Sequence, residues 1–335
     1  MVRTQETFQV FHDSFRGIIG TDPSIEILHQ VDAYPFAHEA GVWIDKTNEL
    51  FVTSGQFKDG VHPSKRVQVS KLVVGDHGSS QPAQHEEIPC DDIPMGNGGV
   101  NYGDGHVLFC SQGSLTRPSG LVSMEIRPPY RVESVVDNFL GRPFNSVNDV
   151  VIHSDGSIWF TDPCYGYDQS FRPRPSLPNC VYRYEPTTKA IRAVADGFGR
   201  PNGICFSPDE KTVYITDTDQ QHGDSKDHSR SASIYAFDLV YYHGEPSLIN
   251  RRLFALADTG YPDGIKCDLA GNVYSGCGDG VNVWSPGGVL LGKILIDGGA
   301  ANFCFGRNGR MFILNEHCIW SVQLDSPVQG ALLGI

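Results

Sequence analysis

The sequence predicts an all-β protein, a six-bladed β-propeller with a metal site on its central axis. Three observations predict it. A short hairpin pattern recurs six times along the 335 residues. The apolar residues fall in brief runs between turns, without a long helical period. One position of the repeat carries a side-chain oxygen in every copy.

Each copy is an apolar strand, a turn rich in Asp, Asn and Gly, and a second apolar strand. The copies are GVWIDKTNELFVTSG from Gly41, GGVNYGDGHVLFCSQG from Gly98, NDVVIHSDGSIWFTDP from Asn148, NGICFSPDEKTVYITDT from Asn202, DGIKCDLAGNVYSGC from Asp263 and NFCFGRNGRMFILNE from Asn302. Val, Ile, Phe, Tyr and Trp favour the strands, and glycine in the turns is expected to supply the positive φ of a tight reversal. Copies lie about 40 to 60 residues apart, enough for one four-stranded blade each. Further strands fit between them, at VYRYEPTTKAIRAVA from Val181, SIYAFDL from Ser233 and VNVWSPGGVLLGKIL from Val281. Residues 1–335 are thus expected to form a single propeller domain. The N-terminal segment, residues 1–33, would contribute a ring-closing strand, IEILHQV from Ile25, beside CIWSVQL from Cys318. The stretches from Gly75 and from Asp219 are polar and turn-rich and read as surface loops, the second overhanging the active face.

Composition excludes several functions. With 39 acidic and 26 basic residues, the net charge of −13 would repel a phosphate backbone or an anionic membrane surface. No apolar run approaches the roughly 20 residues of a membrane span, and the opening MVRTQETFQVFHDSF lacks the continuous apolar core of a secretory signal. A soluble, cytoplasmic protein acting on a small molecule is expected. Nine cysteines without a CxxC pair argue against a disulfide framework or a structural zinc site, and read as small buried hydrophobes.

Blades of a propeller are related by approximate rotation, so one repeat position recurs around the central channel. Just before the first strand of successive copies stand Glu39, Asn97, Asn148, Asn202, Asp263 and Asn302, with slips of one residue in the first and last copies. Any one of these, beside glycine, could simply be a good turn residue. Six oxygen donors at one position instead point to a buried hard cation, because such a ring is costly unless something pairs with it. Glu39, Asn148, Asn202 and Asp263 are the expected metal ligands. Calcium suits carboxylates mixed with neutral amides best, with magnesium, manganese or zinc as alternatives.

At these residues the chain resembles the senescence marker protein, gluconolactonase and luciferin-regenerating enzyme family of calcium propellers. The likeness is strongest in NSVNDVVIHSDGSIWFTDPCYGY, RPNGICFSPDEKTVYITDT and PDGIKCDLAGNVY. The resemblance implies a metal held by a Glu near the N-terminus, the Asn of an NDV-like element, the Asn of PNG and the Asp of PDG. These are Glu39, Asn148, Asn202 and Asp263. HEAGVW stands where the family usually has Glu-Gly-Pro-x-Trp, and CSQG, with Ser111 and Gln112, where bacterial gluconolactonases have a Cys-Glu-His-Gly-like element.

The leading functional expectation is metal-dependent hydrolysis of a lactone or related ester, the cation polarising the carbonyl and Asp263 activating water. Asp149 and Asp162 are candidates for ordering that water, although Asp162 in FTDP could equally cap a turn. His38, beside Glu39, is a candidate proton shuttle. Asn97, Gln112, Tyr165 and Asn302 are expected to face the substrate, under a rim built from the Ser111 to Arg117 loop, CYGYDQSF from Cys164 and the loop from Asp219. The uncharged Ser111 and Gln112, with Tyr165, Tyr167 and Phe171, favour a lactone less polar than gluconolactone. No GxSxG elbow, phosphate-binding loop or dinucleotide fingerprint occurs, so neither a serine triad nor a nucleotide cofactor is implied. Two alternatives stand beside hydrolysis: ring formation or isomerisation in natural-product biosynthesis, and a non-catalytic calcium-binding propeller.

Overall fold

The computed structural model describes residues 7–60, 64–78, 82–223 and 225–331. Six antiparallel sheets are arranged as the blades of a propeller. Blade one contains Glu39–Ile44, Glu49–Thr53, Val69–Val73 and Gln84–Ile88. Blade two contains Gly96–Tyr102, His106–Ser111, Gly120–Glu125 and Val132–Val136. Blade three runs through Val150–Ile152, Ile158–Asp162, Cys180–Glu185 and Ala190–Ala195, and blade four through Pro201–Phe206, Thr212–Asp217, Ser233–Tyr242 and Glu245–Leu256. Blade five has Ile265–Cys267, Val273–Cys277, Gly280–Trp284 and Leu290–Leu295, and adds Phe8–Val10 outside them as a fifth strand. Blade six has Asn302–Phe305, Arg310–Asn315 and Cys318–Gln323, and takes its outer strand, Ser24–Gln30, from the other end of the chain.

The strand chemistry follows from blades packing face to face. A second strand has a neighbouring blade on each side, so both its faces are apolar, as in the fully buried Glu49–Thr53 and Ile158–Asp162. Outer strands meet solvent and turn polar, as in Gln84–Ile88. Each seam between blades has its own apolar cluster among the described residues. Trp43 of blade one meets Phe312 of blade six with ring centroids 5.0 Å apart, and Phe206 of blade four meets Trp159 of blade three edge-on at 5.6 Å.

The ring closes through the antiparallel pairing of Ser24–Gln30 with Cys318–Gln323, in which Ile25 stands opposite Val322 and Ile27 opposite Trp320. Helix α1, Ser14–Ile19, plugs the seam just before this strand and buries Phe15, Ile18 and Ile19. A Cβ on Gly292 would lie 2.2 Å from the Phe15 ring, so the neighbouring strand must carry glycine there.

The hairpin turns differ from the expectation of a glycine in each. Gly105, Gly156, Gly271 and Gly309 take positive φ, but Asn48 (53°) and Glu210 (55°) occupy the left-handed position in blades one and four. Asparagine tolerates that region well; Glu210 is held there while its carboxylate accepts hydrogen bonds from the backbone N–H and hydroxyl of Ser154 in blade three. The nine cysteines are unbridged, and seven are buried. No helix among the described residues is long and apolar enough to cross a membrane.

Because Phe15 is fully buried and fills a space cut for it, Phe15→Ala should destabilise the protein by about 3 to 5 kcal/mol. Urea unfolding checks this; a loss below about 1 kcal/mol would show that the N-terminal helix is not part of the cooperative unit.

Candidate active site on the propeller axis

Glu39, Asn97, Asn148, Asn202 and Asp263 line one axial cavity of about 320 Å³, and Gln112 and Tyr165 join them. Bulges help to aim these side chains. The inner strands carry register shifts between Ala40 and Val42, between Gly96 and Gly99, and between Pro201 and Ile204. Extra residues of this kind re-aim side chains at the rim of a sheet. In blade one, Ala40 and Gly41 both take positive φ (68° and 71°), and this bulge is the one-residue slip of the first repeat.

The backbone of the site is held across the seams by hydroxyls. The Thr53 hydroxyl donates to the carbonyl of Asn97 (2.9 Å), Thr161 to that of Asn202 (2.6 Å) and Thr216 to that of Asp263 (2.9 Å). Each threonine lies at the last or last-but-one position of the second strand of one blade and holds a site residue of the next. The Thr216 oxygen also accepts the Gly203 N–H at 2.7 Å.

Electrostatics show what the cavity needs. Glu39 and Asp263 are both buried, and burial first, then the Glu39 charge, push the Asp263 carboxyl well above the usual range, opposed by His38. Glu39 accepts the Asn302 amide N–H at 2.7 Å. The Oδ1 atoms of Asp263, Asn97 and Asn148 are buried without any hydrogen-bond donor. Asn202 directs its amide nitrogen to the Tyr165 hydroxyl at 3.3 Å, which leaves its oxygen for the cavity. Two facing acids and several amide oxygens without donors form a donor set that suits a hard cation. Among the described residues no three His, Cys, Asp or Glu side chains cluster as a metal site, so a cation here depends on the asparagines.

His38 and Glu316 lie beside the acids, with Nδ1 and Oε1 2.6 Å apart. Burial disfavours the imidazolium, but Glu316, Glu39 and Asp263 together outweigh it and push His38 up to about 10. The pair with Glu316 thus favours the protonated form of the His38 imidazole.

Several expected residues stand elsewhere. Asn302 is fully buried and does not line the cavity; it sits behind Glu39, its Oδ1 accepting the Phe303 N–H at 2.8 Å. A Cβ at Gly264 would come within 2.4 Å of the Asn302 side chain, which accounts for glycine after Asp263. Asp162 caps a turn, accepting the N–H groups of Asn145 (2.9 Å) and Ser146 (2.8 Å). Asp149 binds the N–H groups of Val150 (2.9 Å) and Ile204 (3.1 Å) and staples blade three to blade four. Ser111 turns away and donates to the Pro94 carbonyl, while Tyr167 is exposed outside the cavity.

Around the mouth lie Gln56, Gln169, Gln221, Tyr261 and Glu316, none singled out by the hairpin alignment. Glu316 occupies the end of a second strand, as Gln112 does, so extending the alignment to that position would have found it. Tyr261 and the glutamines stand on connections of unequal length, where repeat alignment has no register.

The threonine clamps give a direct test. Thr216→Val orphans both the Asp263 carbonyl and the Gly203 N–H, and should cost about 1 to 3 kcal/mol. Thr216→Ser keeps the hydroxyl and should lose less than half as much in parallel urea titrations; equal losses would refute the clamp.

Residues 77–316 match the family model described as the SMP-30/Gluconolactonase/LRE-like region. The chain is 30% identical over 256 residues to a gluconolactonase of Zymomonas mobilis, covering 72% of this chain and 68% of that one. It is 27% identical over 311 residues to the lactonohydrolase oryL of Aspergillus oryzae, covering 87% of this chain and 67% of that protein. The solved structure of a gluconolactonase from Xanthomonas campestris superposes with a TM-score of 0.72 at 26% identity, over 95% of each chain. With the family model spanning most of its length and the same fold in its relatives, this chain belongs to the SMP-30/gluconolactonase/LRE-like family.

Proposed function

We propose that this protein is a lactonase that uses one divalent cation, calcium, and opens its substrate with water. The observation that carries this reading is the set of buried, donorless oxygens of Asn97, Asn148 and Asp263 beside Glu39, at the floor of a polar cavity. Relatives named gluconolactonase and lactonohydrolase support it.

Glu39, Asn148, Asn202 and Asp263 would hold the ion, whose chemistry when bound is Lewis-acid polarisation of the lactone carbonyl. Asp263 is the general base. Its Oδ1 is buried without a hydrogen-bond partner, and it can take a proton from water as the water oxygen bonds to the carbonyl carbon. The acyl carbon–oxygen bond then breaks as Asp263 returns that proton to the ring oxygen, which leaves as the hydroxyl of the hydroxy acid. Tyr165, Tyr261 and Gln112 line the space where the ring must sit and offer donors to its oxygens. Asn302 keeps Glu39 in place from behind, and His38 offsets part of the carboxylate charge through its pair with Glu316.

Calcium at a hundred times its dissociation constant should stabilise the fold by about 2.7 kcal/mol. Chelation should reverse the gain and abolish turnover; a melting temperature indifferent to calcium, magnesium and chelator would rule out the site. Asp263→Asn keeps a ligand oxygen but cannot accept a proton, so kcat should fall at least about 100-fold while stability in calcium changes by under about 1 kcal/mol. Near-wild-type turnover in this variant would remove Asp263 as the base. In ¹⁸O-labelled water the hydroxy-acid product should carry label in its carboxylate, whereas an unlabelled isomeric product would replace hydrolysis by ring rearrangement.

A further inference from the structure

We infer that the substrate is a lactone bearing an apolar chain, and that a groove beside the axial cavity holds this chain. The inference rests on the lactonase reading above and adds a second subsite to it. A hollow of about 360 Å³ adjoins the axial cavity, and Gln56, Lys65 and Gln169 line both. Beyond that shared wall the apolar side chains of Met95, Leu115 and Phe171 line the hollow together with Ser64, Ser114, Thr116 and Ser170.

The two spaces are built from one segment. Asn97 faces the axis, Met95 lies two residues before it in the groove, and the Met95 carbonyl accepts the N–H of the cavity residue Gln112 at 3.1 Å. One short segment thus contributes both to the axial cavity, through Asn97, and to the groove, through Met95. Between the spaces, the Gln56 side-chain amide donates to Gln169 at 2.5 Å, joining the rims of blades one and three. Both side chains are flexible stems ending in amides, and their contact can part without moving the backbone.

Leu115 carries the chemical argument. It is 69% exposed on a loop that is not free to fold it away. Buried Arg172 donates to the carbonyls of Ser114 and Arg117, both at 2.7 Å, and to those of Asn145 and Phe144, both at 2.9 Å. The Ser114 hydroxyl oxygen accepts the N–H groups of Thr116 (3.2 Å) and Arg117 (3.0 Å). The loop thus presents an apolar side chain at the groove without covering it, and an alkyl chain laid across Leu115, Phe171 and Met95 would bury that surface. A polyhydroxylated sugar lactone would gain nothing from these three side chains. The class of substrate is a lactone whose ring carries an alkyl chain of several carbons.

The test uses the calcium-loaded protein, a series of γ-lactones from γ-butyrolactone to γ-decanolactone, and the matching 4-hydroxy acids as binding probes. Wild-type kcat/KM should rise about two- to fourfold per methylene until the groove is full, and hydroxy-acid affinity measured by calorimetry should rise in parallel. Leu115→Asp, at an exposed position, should flatten both dependences while leaving γ-butyrolactone turnover unchanged; Phe171→Ser should do the same. Turnover of γ-butyrolactone with no dependence on chain length would overturn the groove and leave the lactonase reading intact. Absent turnover with chain-length-dependent binding that Leu115→Asp removes would uphold the groove and overturn the lactonase. A flat response in both measurements would overturn the groove as well.

Discussion

Two buried acids that share the axial cavity, Glu39 and Asp263, govern the design of this protein. Burial and the neighbouring Glu39 charge push the Asp263 carboxyl well above the usual range, and the surroundings reflect the need for a positive partner at several levels. Asn302 binds one acid from behind. His38, whose protonated form Glu316 favours, stands beside both. Asparagine oxygens without donors complete a set that a hard cation would satisfy, and with such an ion in place the arrangement would gain free energy.

Holding such a site requires the blades to be registered against one another to a fraction of an ångström. The six apolar clusters alone would not supply that precision, since packed side chains tolerate small sliding of one blade past the next. Directional contacts at the seams supply it. Thr53, Thr161 and Thr216 reach across to the carbonyls of Asn97, Asn202 and Asp263, and Asp149 adds a carboxylate staple between blades three and four. Asp149, a candidate in the sequence for ordering water, is at this level a bolt between blades.

The rim has a different logic from the floor. Floor residues come from the repeating first strands and are polar, whereas the rim comes from the connections, which differ from blade to blade. Arg172 fixes the Ser114–Arg117 loop, and Arg200 ties the short helix α2, Tyr165–Asp168, through Asp168 at 2.8 Å to the loop that carries Gln221. Chemistry shared with the family can thus reside on the axis while the choice of substrate resides in the loops.

The amino-acid sequence by itself determined the repeat: short apolar strands, turn residues between them, and an oxygen-bearing residue at one position of each copy. Rotation about an axis converts equal repeat positions into neighbours, which is why Glu39, Asn97, Asn148, Asn202 and Asp263, far apart in the chain, were legible together and share one cavity. Only the tertiary structure decided what lies outside that periodicity. Asn302 shares the repeat position but is turned behind Glu39, and Asp162 shares the look of a catalytic acid but is occupied by two backbone N–H groups. Gln56 and Tyr261 reach the cavity from segments whose lengths follow no repeat. The physical reason is that strand pattern is a local property of the backbone, written in every blade, whereas the partner of a polar side chain depends on which loop the closed ring brings within hydrogen-bonding distance.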